Sequence, residues 1–214
     1  MKITILCSDV LHPVFSYLTR WRDLQTAHSV TIISDASEAV GPADILFLVS
    51  CSEMVKKHVR DEFRHTLVLH AGDLPKGRGW SPHIWEILSG SNELTLSLLS
   101  AEDGVDSGPI WKKIKIQLSG YELYSEINHK LFEAELKMLD YACENIDLSK
   151  PQEQLAVNAT YYKKRVAADS ELDINKSIKS QFNLLRVCDQ KRFPAFINID
   201  GHKYNLHITR DSGE

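Results

Sequence analysis

Through the first half of the chain, short apolar runs alternate with stretches of helical periodicity, and the texture changes after Pro151. These observations predict an α/β fold: a Rossmann-like, mostly parallel sheet with flanking helices and a small C-terminal α+β extension ending in a hairpin. Residues 1–150 make the predicted core. Residues 151–214 are too few and too mixed in character to fold alone in water, so they are expected to dock on it.

Residues 3–7 open the chain as a strand candidate, and Val14, Leu18 and Trp21 then recur at helical spacing behind Pro13, a favoured helix-start residue. SVTIIS at 29–34, DILFLVS at 44–50 and TLVLH at 66–70 are further apolar runs bounded by polar or turn residues. Such continuous apolarity suits strands covered on both faces of a parallel sheet. Residues 54–63 supply a helix between the last two runs. HIWEILSG reads as a helix ending at Gly90, and LTLSLLS at 94–100 as another strand. IWKKIKI at 110–116 alternates as a half-exposed strand should, and Ile127, Leu131, Ala134, Met138 and Ala142 mark a long amphipathic helix over roughly 121–146. In the tail, QLAVNATYYKKRVAADSELD reads as loop, INKSIKSQFNLLRV as a helix, and AFINIDGHKYNLHI as a hairpin turning at Asp200-Gly201.

The chain has 214 residues and a formal net charge of −4, which offers no broad field for nucleic acid. No run approaches the roughly eighteen apolar residues of a membrane span, and MKITILCSDV resembles a first strand more than a signal peptide. Cys7, Cys51, Cys143 and Cys188 are widely spaced, as reduced cysteines of a cytoplasmic protein would be. Cys51 follows an apolar strand, where α/β proteins place their sites, but no base is evident beside it.

Two loops carry the chemistry. LHAGDLPKGRGWSPHIW at 69–85 begins with His70 at the carboxyl end of a strand, the usual ligand edge of an open α/β sheet. AEDGVDSGPIW at 101–111 crowds Glu102, Asp103 and Asp106 into a glycine-containing turn. If the two preceding strands are parallel neighbours, both loops leave one edge and a carboxylate can orient His70 for acid–base work near neutral pH. No GxSxG, GxxxxGK[ST] or GxGxxG element competes.

With His70, Leu74, Pro75, Arg78 and Gly79 in the first loop and Asp106 and Gly108 in the second, the sequence resembles the folate-dependent formyltransferases. That superfamily includes methionyl-tRNA formyltransferase, the glycinamide ribonucleotide enzyme and the sugar N-formyltransferases. The tail segments ATYYKKRVAADSELD and LLRVCDQKRFPAFINIDGHKY are similar to the part that closes the catalytic domain in the sugar and tRNA enzymes. The group nearest in form serves pseudaminic-acid-type sugar pathways. The resemblance implies 10-formyltetrahydrofolate as co-substrate, with His70 assisting proton removal from the attacking amine and Asp106 orienting His70. It implies a cofactor lining from Ser50, Cys51, Gly77, Arg78, Gly79, Glu102, Asp103 and Val105. Two departures stand out: the family's catalytic asparagine is Val68 here, and Gly72 occupies a position where serine is common. Ser50, Ser52, Ser81 or a backbone amide are the candidate replacements for the missing donor.

The resemblance points to an amino sugar as acceptor, nucleotide-linked, with Tyr162, Arg165, Arg186 and Phe193 as substrate-binding candidates. Methionyl-tRNA is disfavoured on this reading because that enzyme carries a further basic domain, and glycinamide ribonucleotide because the purine enzymes lack this tail. The alternative is a catalytically silent folate- or sugar-binding relative, motivated by Val68. The expected partners are a small molecule, not nucleic acid or a membrane, and IWKKIKI and the tail hairpin are candidate surfaces for a homodimer.

Overall fold

A computed structural model describes residues 1–155 and 157–211, so the last three residues of the expected extension lie outside the described residues. In chain order the elements are β1 (Lys2–Leu6), α1 (Val14–Leu24), β2 (Ser29–Ile33), β3 (Ala43–Val49), α2 (Lys57–Arg60), β4 (Phe63–His70), β5 (Arg78–Gly79) and α3 (Pro82–Leu88). They continue with β6 (Glu93–Ser100), β7 (Ile110–Gln117), α4 (Tyr124–Asn145), β8 (Tyr161–Tyr162), α5 (Phe182–Arg186), β9 (Ala195–Ile199) and β10 (His202–Leu206).

The six-stranded sheet runs β2-β1-β3-β4-β6-β7. The first four strands are parallel; β6 is antiparallel to both β4 and β7. This corrects the expectation that β4 and β6 are parallel neighbours. The loop after β4 stays at that strand's carboxyl end, where Gly77 meets His70 and Gly72 meets Ser97, and the seven-residue α3 that follows is only about 10 Å long against roughly 26 Å for an eight-residue strand. The chain therefore re-enters the sheet from the end it left.

Alternation along β4 sorts its side chains. Leu67 and Leu69 join the large core on the α1 and α4 side, with Ile5, Phe47, Leu18, Leu131 and Leu139. Val68 packs on the other face with Leu46, Leu48, Val55 and Phe63. His70, two residues on, leans toward the Val68 face.

Two predicted helices shrink. Of residues 54–63 only α2 is helical, because Phe63 is already committed to β4. Of INKSIKSQFNLLRV only α5 and a 3₁₀ turn over Lys179–Gln181 are helical. There the Asp173 and Gln181 side chains bond nearby backbone groups, and Ile174 and Ile178, the apolar positions of the expected stripe, face solvent. The hairpin forms as expected: Asp200 and Gly201 both take positive φ, at 50° and 83°, the pattern of a type I′ turn.

The tail is tied to the core by β8 pairing with β5, by reciprocal backbone bonds between Gln152 and Ile110, and by an Arg192–Asp9 ion pair at 2.6 Å.

Candidate active site

The carboxyl end of β4 presents His70, which is buried. Its Nε2 lies 2.7 Å from the Gly77 carbonyl, which can only accept, so Nε2 carries a hydrogen. Its Nδ1 stands 3.4 Å from Asp106 Oδ1. Because β6 is antiparallel, Ser100 sits opposite Leu67 and not opposite His70. The 101–109 connection doubles back to bring Asp106 to the histidine.

Asp106 is held firmly beside the histidine. Its Oδ2 accepts from the Gly79 amide at 2.8 Å. Gln154 Nε2 donates to the Asp106 and Gly108 carbonyls, while Gln154 Oε1 accepts from Arg78. A Cβ on Gly108 would collide with the Ser100 carbonyl, so only glycine closes this turn. Gly72 is constrained similarly: a Cβ there would lie 2.9 Å from both His70 Nε2 and the Gly77 carbonyl oxygen. The Gly72 carbonyl accepts from Ser97 Oγ at 2.7 Å.

A cavity of about 660 Å³ wraps over this edge of the sheet. On one side Leu48, Val55, Val68 and Leu99 form an apolar wall, rimmed by Ser50, Cys51, Ala101, Glu102 and Val105. On the other side α4 contributes Asn128, Leu131, Phe132 and Glu135, α3 contributes His83, and the tail contributes Lys164, Arg165, Arg192 and Phe193. His70, Gly79 and Asp106 border it between these two walls. Among the described residues five non-glycines have positive φ, and three of them, Ser50, Ser81 and Asp106, border the cavity. Strained backbone therefore concentrates here, as it does at functional sites.

The predicted site residues divide. Ser50, Cys51, Gly79, Glu102 and Val105 line the cavity, as do Arg165 and Phe193. Burial pushes the Cys51 thiol up, away from thiolate character. Gly77 acts through its carbonyl on His70. Arg78 is buried outside the lining, bonded to Tyr161 and Gln154, and so is a bracing residue. Asp103 points outward and pairs with Arg60 at 2.6 Å, tethering the turn to the neighbourhood of α2. Tyr162 stacks on Trp85 with ring centroids 6.0 Å apart, which packs the tail against α3.

Arg186 does not reach this cavity. Its side chain is fully buried, with Nε donating to Asn183, Nη2 toward Asn92 and Nη1 toward Glu122. Burial works to raise the Glu122 carboxyl, but Lys130 and the Ser119 amide outweigh it and hold it down at about 2, leaving a charge for Arg186 to face. This arginine joins α5 to the start of α4.

Sequence reasoning passed over Gln154, Ser97, His83 and Glu135. The first three carry no local signal, but Glu135 follows Leu131 by four residues on the apolar stripe of α4, where a carboxylate is out of place. Among the described residues no group of three histidine, cysteine or acidic side chains is arranged to hold a metal, and no helix is long and apolar enough to cross a membrane.

An open, mostly parallel sheet with a carboxylate-backed histidine beside a cavity of about 660 Å³ at the carboxyl ends of its strands defines the α/β class of the chain. The chain belongs to the formyl transferase family, whose N-terminal domain model matches residues 31–142. It is 27% identical over 174 residues to the methionyl-tRNA formyltransferase of Protochlamydia amoebophila, covering 78% of this chain and 54% of that protein. The chain thus spans about half the length of the curated relatives it matches. Solved structures share its fold, among them the following three. A methionyl-tRNA formyltransferase from Clostridium thermocellum superposes with a TM-score of 0.83 at 21% identity, covering 100% of this chain and 95% of that one. A sugar N-formyltransferase from Shewanella sp gives 0.72 at 14% identity, covering 100% and 99%. HypX from Aquifex aeolicus in complex with tetrahydrofolic acid gives 0.77 at 19% identity, covering 95% of this chain and 36% of that one.

Proposed function

We propose that this chain transfers a formyl group from 10-formyltetrahydrofolate to the primary amine of an amino sugar, nucleotide-linked. The observation that carries the reading is the His70–Asp106 pair set between two chemically different walls of one cavity. The apolar wall fits a flat heteroaromatic ring: Leu48, Val55, Val68 and Leu99 would cover its faces, and the backbone at 50–51 and 101–105 would meet its polar edge. When bound there, the folate supplies an electrophilic formyl carbon.

The protein's own part is proton management. With Nε2–H committed to the Gly77 carbonyl, Nδ1 is the atom of His70 that can accept a proton, and Asp106 lies beside it to stabilise the charge that results. The Gly79 amide keeps the carboxylate in place throughout. On the opposite wall Lys164, whose Nζ lies 4.4 Å from the Trp80 ring centroid, and Arg165 give cationic donors suited to the phosphates of a nucleotide, next to the Arg192–Asp9 pair.

A second reading, methionyl-tRNA as acceptor, is favoured by the names of the sequence relatives. A single assay separates the readings. The protein is incubated with 10-formyltetrahydrofolate and either a panel of nucleotide-linked amino sugars or charged tRNA, and tetrahydrofolate release and acceptor mass are followed. Mass gain of one formyl group on a sugar supports the proposal. Gain only on methionyl-tRNA replaces it, and bound folate with no transfer to either acceptor favours a silent relative.

A further inference from the structure

On the α4 side of the cavity, two polar side-chain atoms have no hydrogen-bond partner among the described residues. Glu135 Oε2 and His83 Nδ1 are both shielded from solvent and unbonded, and both residues border the cavity. Glu135 is only 5% exposed, on a helix face otherwise given to Leu131, Phe132, Met138 and Leu139. A protein seldom leaves such atoms unpaired without a reason, because each costs free energy that an arriving partner returns. Asn128 lies on the same wall, one turn of helix from Leu131.

The chemistry of these groups is complementary to hydroxyls. Burial holds the Glu135 carboxyl up at about 8, so near neutral pH it is an uncharged acid with one donor and one acceptor. Burial, followed by the charges of His70, His12 and Arg165, pulls His83 down to about 3, so it is a neutral imidazole with one of each. Asn128 also offers both. A phosphate, which only accepts, would waste half of these groups. A sugar hydroxyl, which both donates and accepts, uses them all.

We infer that the α4 end of the cavity, bounded by Glu135, His83 and Asn128, is a seat for the neutral hydroxylated ring of the acceptor, leaving any anionic part to the cationic rim. Its role as an acceptor seat rests on the transfer reading above. The placement gives that reading a direction: the folate ring lies along the Val68 wall, the sugar along α4, and His70 with Asp106 between them.

The test needs no turnover. Saturation-transfer NMR on the whole protein compares glucosamine with cyclohexylamine, a cyclic amine without hydroxyls, for the wild type, Glu135→Leu and His83→Phe; circular dichroism verifies that each variant is folded. A seat for hydroxyls gives glucosamine a signal at least about tenfold that of cyclohexylamine, and the two substitutions abolish the preference. Absence of glucosamine binding, equal binding of the two amines, or a preference unchanged in both folded variants overturns the inference. Should Glu135→Leu fail to fold, His83→Phe and Glu135→Gln, which keeps shape and hydrogen bonding and should retain the preference, decide the matter. Formyl transfer is assayed separately. A hydroxyl preference without transfer to any sugar would end the transfer reading alone, and transfer without the preference would end the seat alone.

Discussion

Asp106 touches His70 and the backbone of the first loop at once: Oδ1 lies 3.4 Å from His70 Nδ1 while Oδ2 accepts the Gly79 amide. The carboxylate beside the histidine is therefore oriented by the same loop that supplies, at Gly77, the acceptor for the ring's other nitrogen. The imidazole is thus held through Nε2 before any ligand arrives, with a counter-charge for a protonated ring already in place beside Nδ1.

Replacing Asp106 by Asn preserves size and an acceptor for Gly79 but removes the negative charge beside Nδ1. The expected result is a fall in kcat of about a hundredfold, with the folate dissociation constant unchanged, since general-base assistance contributes on the order of 10²–10⁴. His70→Asn should lose at least as much. Pre-steady-state measurement of formyl transfer checks both, and a change of less than about threefold in either variant would remove the pair from the chemistry.

Val68 gives a prediction of opposite sign. It borders the cavity two residues before His70 on the same face of β4, and valine offers no hydrogen to a developing oxyanion. Val68→Asn should raise kcat by about tenfold or more, toward the hundredfold that one such donor is worth. An unchanged rate would mean that another group, with Ser50, Ser52 and Ser81 all on the cavity wall, already fills the role.

His70 and Asp106, which the structure brings within 3.4 Å of each other, were legible as candidates because each sits in a short motif with turn chemistry that only a loop can accommodate. The sequence misplaced the way they meet. Strand direction depends on how far α3 can carry the chain back, a length that apolar patterning does not encode. It also read Arg186 as a ligand, since an arginine near the end of a helix looks the same whether it faces a cavity or the buried Glu122. Gln154 was illegible: its importance comes from contacts to Arg78, Asp106 and Gly108, residues 46 or more positions away. Local periodicity finds elements and breakers; it does not find the side chains that brace one loop against another.

Arg165 and Arg186 were equivalent candidates in sequence and are not so in the structure. Arg165 borders the cavity with its Nη2 held by the Asp169 carbonyl and the Ser170 hydroxyl and its Nε unpartnered among the described residues, whereas Arg186, the last residue of α5, is fully buried against Glu122. Arg165→Ala should raise the acceptor KM by about tenfold with little change in melting temperature. Arg186→Met should do the reverse, costing about 3 kcal/mol by leaving Glu122 without that partner, a drop of roughly 6–12 °C in a chain of this size. Calorimetry and steady-state kinetics on the two variants decide it, and a raised acceptor KM in a thermally unaltered Arg186→Met would restore that residue as a ligand.

Glu135 should leave a mark on stability that no exposed carboxylate would. Folding raises its carboxyl to about 8, against about 4.3 for an unfolded glutamate. Between those values the native state keeps a proton that the unfolded state has lost, so stability from this residue falls as pH climbs through the window and levels off above about 8. His83 acts with the opposite slope: its folded value near 3 lies below the unfolded value of about 6.5, so its neutral burial is penalised as pH drops from about 6.5 toward 3. Comparing wild type with Glu135→Gln cancels the histidine and isolates the acid. The glutamine variant should match the wild type near pH 4 and melt progressively higher than it as pH is raised to about 8, by several degrees at the upper end. Melting curves across that range test this directly, and a difference that does not vary with pH would mean that Glu135 is ionised in the folded protein and that the α4 wall of the cavity is charged.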